Sequence, residues 1–191
     1  ASHVSSYGYA ARTTPMLDHW AENALRFDRA YTTGGWTTIA LSSLFRGRYA
    51  RALRWTRLNE TSKYRLLRTR DLVSLLPGER ASNAFGLPLD DRHPTLGALL
   101  QQAGYATVAL VDDGHTHVLG AEVGGFSGFG RYENVRTVDK KRATDADVSR
   151  VAMQALKELR TGPPFFLWVQ YFGPHLPNRV HHGTRRFRTG S

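Results

Sequence analysis

The feature that most narrows the fold is an arrangement that occurs twice: an amphipathic helical stretch, a short turn, then a brief apolar run. In the first instance Leu96, Leu99 and Leu100 lie on one helical face after Pro94-Thr95, and Gly104 ends the stretch. Tyr105-Ala106-Thr107-Val108-Ala109-Leu110-Val111 follows as a buried strand, by its length and its branched residues. In the second, Thr144-Asp145 caps a helix in which Val148, Val151, Ala152, Ala155, Leu156 and Leu159 share a face. Pro163-Pro164 stops that helix, and Phe165 to Phe172 is a continuous apolar strand of the kind buried on both sides. Helices alternating with such strands predict an α/β fold with a mostly parallel central sheet flanked by helices. Ligands gather at the carboxyl ends of strands in these sheets. Two loops leave those ends, Asp112 to His117 and Gly173 to His182.

The rest of the chain is less periodic. Thr14-Pro15 reads as a helix start, with Thr14 as N-cap and Pro15 at the first helical position. Leu17, Trp20, Ala21, Ala24 and Leu25 then repeat at helical spacing. Arg26 to Tyr31 alternates polar with apolar and predicts a short strand. Trp36 to Leu44 reads as a loop feeding a helix that Gly47 ends. A glycine-rich loop is expected from Gly120 to Gly130. The stretch from Arg51 to Asp91 is Arg-rich and punctuated by Pro77-Gly78 and Leu87-Pro88. It reads as an exposed insertion with one helix, Arg68 to Leu76, inside a single domain spanning 1–191.

Composition bounds the function classes. A chain of 191 residues, 41% of them hydrophobic, can bury a sizeable core. With no cysteine, disulfides, zinc–thiolate sites and a cysteine nucleophile are excluded. No apolar run approaches the roughly 20 residues of a membrane span. The formal charge of +10 admits nucleic acid, an anionic surface or an anionic substrate as partner. The basic residues are spread, from Arg46, Arg48, Arg51, Arg54 and Arg57 to Arg179, Arg185, Arg186 and Arg188. They do not interleave with aromatics as in a nucleic-acid module, so no nucleic acid is expected.

Three segments, in order, resemble a sulfatase domain of the alkaline-phosphatase superfamily. The first holds Tyr7-Gly8-Tyr9, Thr13-Thr14-Pro15-Met16-Leu17-Asp18 and Leu25 to Thr32, with Ser43-Leu44-Phe45-Arg46-Gly47-Arg48-Tyr49 after it. The second runs Thr95-Leu96-Gly97-Ala98-Leu99-Leu100 and on to Thr107. The third is Pro164-Phe165-Phe166-Leu167-Trp168-Val169-Gln170-Tyr171-Phe172-Gly173-Pro174-His175. The resemblance implies an alkaline-phosphatase-like α/β fold and metal-assisted hydrolysis or transfer of a sulfate or phosphate ester. It also implies an anionic ester as substrate and a periplasmic, extracellular or membrane-tethered parent.

Carried over residue by residue, the resemblance sets Thr37 at the nucleophile position, where it would also touch a divalent metal (Ca²⁺, Mg²⁺, Mn²⁺ or Zn²⁺). Sulfatases have a Cys or Ser there, matured to formylglycine, with Pro two positions on and Arg four positions on. This chain has Thr37, Ile39 and Leu41, so formylglycine is not expected. A Thr is what phosphoryl- and phosphoglycerol-transferring members of the superfamily use. The plain alternative for Thr37 is a helix N-cap. His175 matches the His of the family's Asp-Pro-His turn and would bind or protonate a substrate oxygen, although the Asp of that turn is Gly173. Alternatively it is a surface histidine, in company with His181 and His182. His115 and Arg48 are candidate substrate-binding residues, the first beside Asp112, Asp113 and His117 in what could equally be a solvated turn, the second as a structural ion-pair donor. The family's remaining metal ligands lie upstream of the Tyr-Gly segment and well downstream of His175. The chain is thus expected to be the N-terminal part of such a domain, cut short at both ends and inactive by itself. A catalytically dead, anion-binding domain is the alternative that the lost Pro, Arg and Asp motivate.

Overall fold

The computed structural model of the chain describes residues 3–35, 37–53, 55–56, 87–88, 93–112, 127–135, 143–173 and 175. In chain order the elements are α1 (Pro15–Ala21), α2 (Thr37–Arg46), β1 (Trp55–Thr56), β2 (Leu87–Pro88), α3 (Leu96–Gln102), β3 (Ala106–Asp112), β4 (Arg131–Val135), α4 (Asp145–Leu159) and β5 (Phe165–Gln170). The chain divides into two compact units, Ala1–Tyr31 with Pro174–Ser191, and Thr32–Gly173.

The second unit carries a three-stranded sheet in the order β4-β3-β5, parallel throughout. β3 is central and buried from Thr107 to Asp112. Its side chains alternate between two cores, as the two-residue period of a strand requires. Val108 and Leu110 join Val135, Ala143, Val148, Ala152 and Ala155 around α4. Ala109 and Val111 join Phe45 of α2, with Leu41, Phe129, Tyr132, Phe166 and Trp168 packed against them. In the second core Phe45 is 2% exposed, with its ring 4.8 Å from Trp168 and 5.9 Å from Phe129, both edge-on. A parallel sheet covered by helices is the α/β architecture that the two helix–strand arrangements predict.

Local chemistry sets the helix ends. Thr144 and Asp147 form a reciprocal capping box at the start of α4: the Asp147 N–H donates to Thr144 Oγ1 at 3.3 Å and the Thr144 N–H to Asp147 Oδ2 at 3.0 Å. Thr95 caps α3, accepting from the Ala98 N–H, and its hydroxyl donates to the Ser127 carbonyl. α2 and α3 end alike. The N–H groups of Gly47 and Arg48 reach back to Leu44 and Ser43, and those of Gly104 and Tyr105 to Gln101 and Leu100. This paired closure needs a residue with positive φ, which Gly47 (58°) and Gly104 (87°) provide.

Several expectations are corrected. β5 is not buried on both sides: Phe165 is exposed and Phe166 to Gln170 are half-buried, because β3 is its one strand neighbour among the described residues. The α3 leucines do not form the core face. Leu96 and Leu99 are exposed, and the buried position is Gly97, seated against the Phe129 ring. β4 went unread because Arg131-Tyr132-Glu133-Asn134-Val135 has little apolar character. Its Arg131 instead bridges Glu133 at 2.7 Å and Glu158 of α4 at 2.9 Å. Only Gly128 and Gly130 of the glycine-rich loop's glycines fall among the described residues. The helix expected over Arg68 to Leu76 lies outside them. At the ends of that Arg-rich stretch, β1 and β2 pair antiparallel, Trp55 with Pro88 and Thr56 with Leu87.

The first unit is built differently. α1 stops at Ala21, short of Ala24 and Leu25, and none of its residues is buried. Thr14 stands at its N-cap, yet its hydroxyl does not cap the backbone. It accepts the Ser5 N–H at 3.1 Å and has one proton to give, either to Ser5 Oγ at 2.9 Å or to Asp18 Oδ1 at 3.2 Å. Ser5 Oγ also donates to Asp18 Oδ2 at 2.7 Å. Arg26 to Tyr31 is irregular rather than a strand. Arg26 there donates to the Ser6 carbonyl at 2.6 Å and stacks over the Tyr7 ring, whose hydroxyl reaches the Phe27 carbonyl.

Candidate functional site

Thr37 is the first residue of α2 and is half-buried. A helix start turns its unpaired backbone N–H groups and the positive end of its dipole toward whatever lies before it, an environment that suits an anionic ester. The helical residues begin with Thr37 itself. The loop leading in is tight: a Cβ on Gly34 would lie 2.5 Å from Ile39 Cγ2. Ile39 therefore packs back onto the loop it follows. Leu41 packs against the Phe45, Ala109 and Val111 core. The two positions where formylglycine sulfatases carry Pro and Arg are thus occupied here by apolar residues with packing contacts of their own. One turn further on, the Ser42 and Ser43 hydroxyls are buried with no hydrogen-bond partner found among the described residues.

Arg48, just past the end of α2, is exposed. Its Nη2 lies 3.5 Å from Nδ1 of His93, an approach that a ring protonated on Nε2 accommodates. Among the described residues its contact is thus an imidazole rather than a carboxylate. The preceding Arg46 donates to the His93 carbonyl at 2.6 Å, so both arginines are directed at the segment that opens α3.

Of the acidic and imidazole cluster after β3, Asp112 is described, while Asp113, His115 and His117 lie outside the described residues. Asp112 is not part of a solvated turn. It is the last residue of β3, paired with Val135 and 2% exposed. His175 belongs to the first unit and is exposed. His181 and His182 lie outside the described residues.

A carboxylate that the sequence presented only as a helix-cap residue turns out to be engaged at the other strand end. Asp145, first residue of α4, accepts the Gly173 N–H on Oδ1 at 3.0 Å. Nearby, Ser149 Oγ and Tyr171 Oη lie 3.0 Å apart, a second link between α4 and the residues after β5. The one signal that could have flagged Asp145 is the glycine at 173, where the resemblance expects a carboxylate.

Among the described residues there is no group of three or more His, Cys, Asp or Glu side chains placed to hold a metal ion. The described residues therefore do not by themselves fit a divalent metal site. Nor is any helix among them long and apolar enough to cross a membrane.

Comparison with known proteins follows the same lines. The family model described as Sulfatase matches residues 1–190. Two solved structures share the fold, each with a TM-score of 0.56. One is the C-terminal periplasmic domain of EcEptC from Escherichia coli in complex with Zn, 19% identical over 92% of this chain. The other is a protein in the alkaline phosphatase superfamily from Vibrio parahaemolyticus, 21% identical over 95% of this chain. The chain spans 41% and 40% of the length of those two. No curated protein matches it in sequence.

Proposed function

Because the chain belongs to the Sulfatase family, we propose that the complete protein cleaves or transfers sulfate or phosphate esters, with the Thr37 hydroxyl as nucleophile. The observation that supports this reading is Thr37 at the first position of α2, in the stretch that resembles the family's nucleophile segment. Thr cannot be matured to formylglycine, and the Pro and Arg positions of that signature are Ile39 and Leu41. The phosphate-ester side of the family is therefore favoured. Thr37 Oγ, giving up its proton to solvent, attacks the phosphorus, the bond to the ester oxygen breaks, and the group rests on Thr37 until water or an acceptor hydroxyl removes it. His175 is the candidate to supply the departing oxygen's proton. Arg48 and His115 are candidates for holding the non-bridging oxygens.

A divalent metal belongs to the proposal for the complete domain, and the Zn bound by one structural neighbour supports looking for it. Its ligands beyond Thr37 would come from outside the described residues, since a hard cation needs several oxygen donors. A periplasmic or extracellular location fits the same neighbour, which is a periplasmic domain.

The test is an assay of the full-length protein on p-nitrophenyl phosphate and p-nitrophenyl sulfate, with Ca²⁺, Mg²⁺, Mn²⁺ or Zn²⁺ supplied in turn. Thr37→Ala should lower kcat by on the order of 10³-fold or more. Mass spectrometry of the wild-type protein quenched in turnover should find the transferred group on the Thr37 peptide. Absence of cleavage of either ester sinks the reading. A second reading, an anion-binding domain without turnover, is supported by the packing roles of Ile39 and Leu41. Tight oxyanion binding that survives Thr37→Ala, in a protein that turns nothing over, would favour it.

A further inference from the structure

Gly173 is the last residue of the second unit and stands two positions before His175 in the chain. Two observations meet there. Its N–H donates to Asp145 Oδ1 at 3.0 Å. A Cβ on Gly173 would overlap the Asp145 carboxylate outright, closer than any real contact allows. The carboxylate therefore occupies the volume in which a side chain of residue 173 would have to begin. An acidic residue at 173 would bring two carboxylates into one space, where like charges and steric overlap both oppose it.

We infer that Asp145 is a positioning residue. Its carboxylate, delivered from the first turn of α4, acts as the side chain that the Gly173 turn lacks, and pins the backbone leading to His175. The departure from the family pattern at 173 is then a relocation of the carboxylate rather than a loss. The chemistry suits the task. A carboxylate accepting a backbone N–H makes a charge-assisted bond, stronger than one between neutral groups. Its own backbone is held by the Thr144–Asp147 capping box one residue away. Tyr171 and Ser149 tie the same stretch to α4 two residues before Gly173. The catalytic consequence rests on the function proposed above; the pinning of Gly173 does not.

The experiment uses the full-length protein and four variants: Asp145→Asn, Asp145→Ala, Gly173→Ala, and the double variant Gly173→Ala/Asp145→Ala. Amide exchange at Gly173 should quicken by at least about tenfold in Asp145→Ala, as a charge-assisted bond is lost, and by less in Asp145→Asn, which keeps a neutral acceptor. With p-nitrophenyl phosphate, Asp145→Ala should lower kcat by on the order of 10²-fold with KM little changed, the mark of misplaced geometry. Gly173→Ala should be as damaging alone. The double variant should be no worse than Asp145→Ala, because the methyl then has nothing to strike. Unchanged exchange at Gly173 in Asp145→Ala would overturn the inference, as would strictly additive effects in the double variant. If Asp145 merely favours the α4 dipole, Asp145→Asn would match Asp145→Ala and Gly173 would not respond. A wild type that cleaves no ester would end the functional reading, while the exchange measurement would still decide whether Asp145 holds the turn.

Discussion

The sheet and the Ser5–Tyr31 region belong to one chain and are held by opposite means. Around β3, buried apolar side chains on two faces do the work, and Phe45, Leu110 and Val148 are all but inaccessible to water. Between Ser5 and Tyr31 no helix buries a residue, and Trp20, Leu25, Phe27 and Tyr31 are exposed, the last at 88%. What organises that stretch is polar: Ser5, Thr14 and Asp18 bonded to one another, and Arg26 and Tyr7 bonded to backbone carbonyls. Apolar burial is diffuse and tolerant, so many sequences achieve it. A hydrogen-bond network is particular about which atoms stand where.

The comparison can be broken at its strong side first. Phe45→Ala should cost roughly 3–5 kcal/mol, as a buried aromatic flanked by Trp168 and Phe129 is removed from a packed face. Urea denaturation followed by near-ultraviolet circular dichroism would measure it. A loss under about 1 kcal/mol would mean that face is loosely packed and the contrast is false. Next, Asp18→Ala removes the acceptor shared by Ser5 and Thr14 and should open that region locally by roughly 1.5–3 kcal/mol. Hydrogen exchange should show faster amides at Ser5 and Thr14 while those of β3 keep their protection. If β3 loosens equally, the two regions are one cooperative structure.

Thr144→Ala sharpens the comparison by testing a polar device inside the apolar unit. It should cost about 1 kcal/mol, the usual worth of an N-cap. The deficit should depend on pH. The Thr144 backbone N–H, and then its hydroxyl, hold the Asp147 carboxyl below the ordinary aspartate range. A folded pKa below the unfolded one gives stability that is complete above about pH 4 and disappears as pH falls through the lower folded value. The Thr144→Ala difference should therefore shrink on acidification below pH 4, and a deficit that grows there would be inconsistent with the box.

The same contrast explains what the sequence made legible. α4 was readable because burial imposes a period, and β3 and β5 because each is a short apolar run after a helix and a turn. α2 and α3 end near Gly47 and Gly104 because a residue at ease with positive φ closes those helices. β4 was not readable, since its pairing is a backbone matter and its Arg131 and Glu133 satisfy each other across the surface. α3 misled because Leu96 and Leu99 have helical spacing yet face outward, while Gly97 meets Phe129. In the Ser5–Tyr31 region periodicity overextended α1 and invented a strand. Of the residues that hold it, Thr14 was singled out as an N-cap, whereas only the resemblance singled out Asp18. At the candidate site, Thr37 and His175 were proposed from the resemblance alone. Asp145 was not proposed there, because its partner is a backbone N–H 28 positions away in sequence.

The antiparallel pairing of β1 with β2 has a consequence for how this chain can change. Thr56 and Leu87 face each other directly, so the chain departs at one point and rejoins at the same point. A two-residue Asn-Gly turn is long enough to join two such partners. A turn of that length would leave the Thr56–Leu87 pairing in place. The pair acts as a seam, closing the chain on itself between positions 56 and 87.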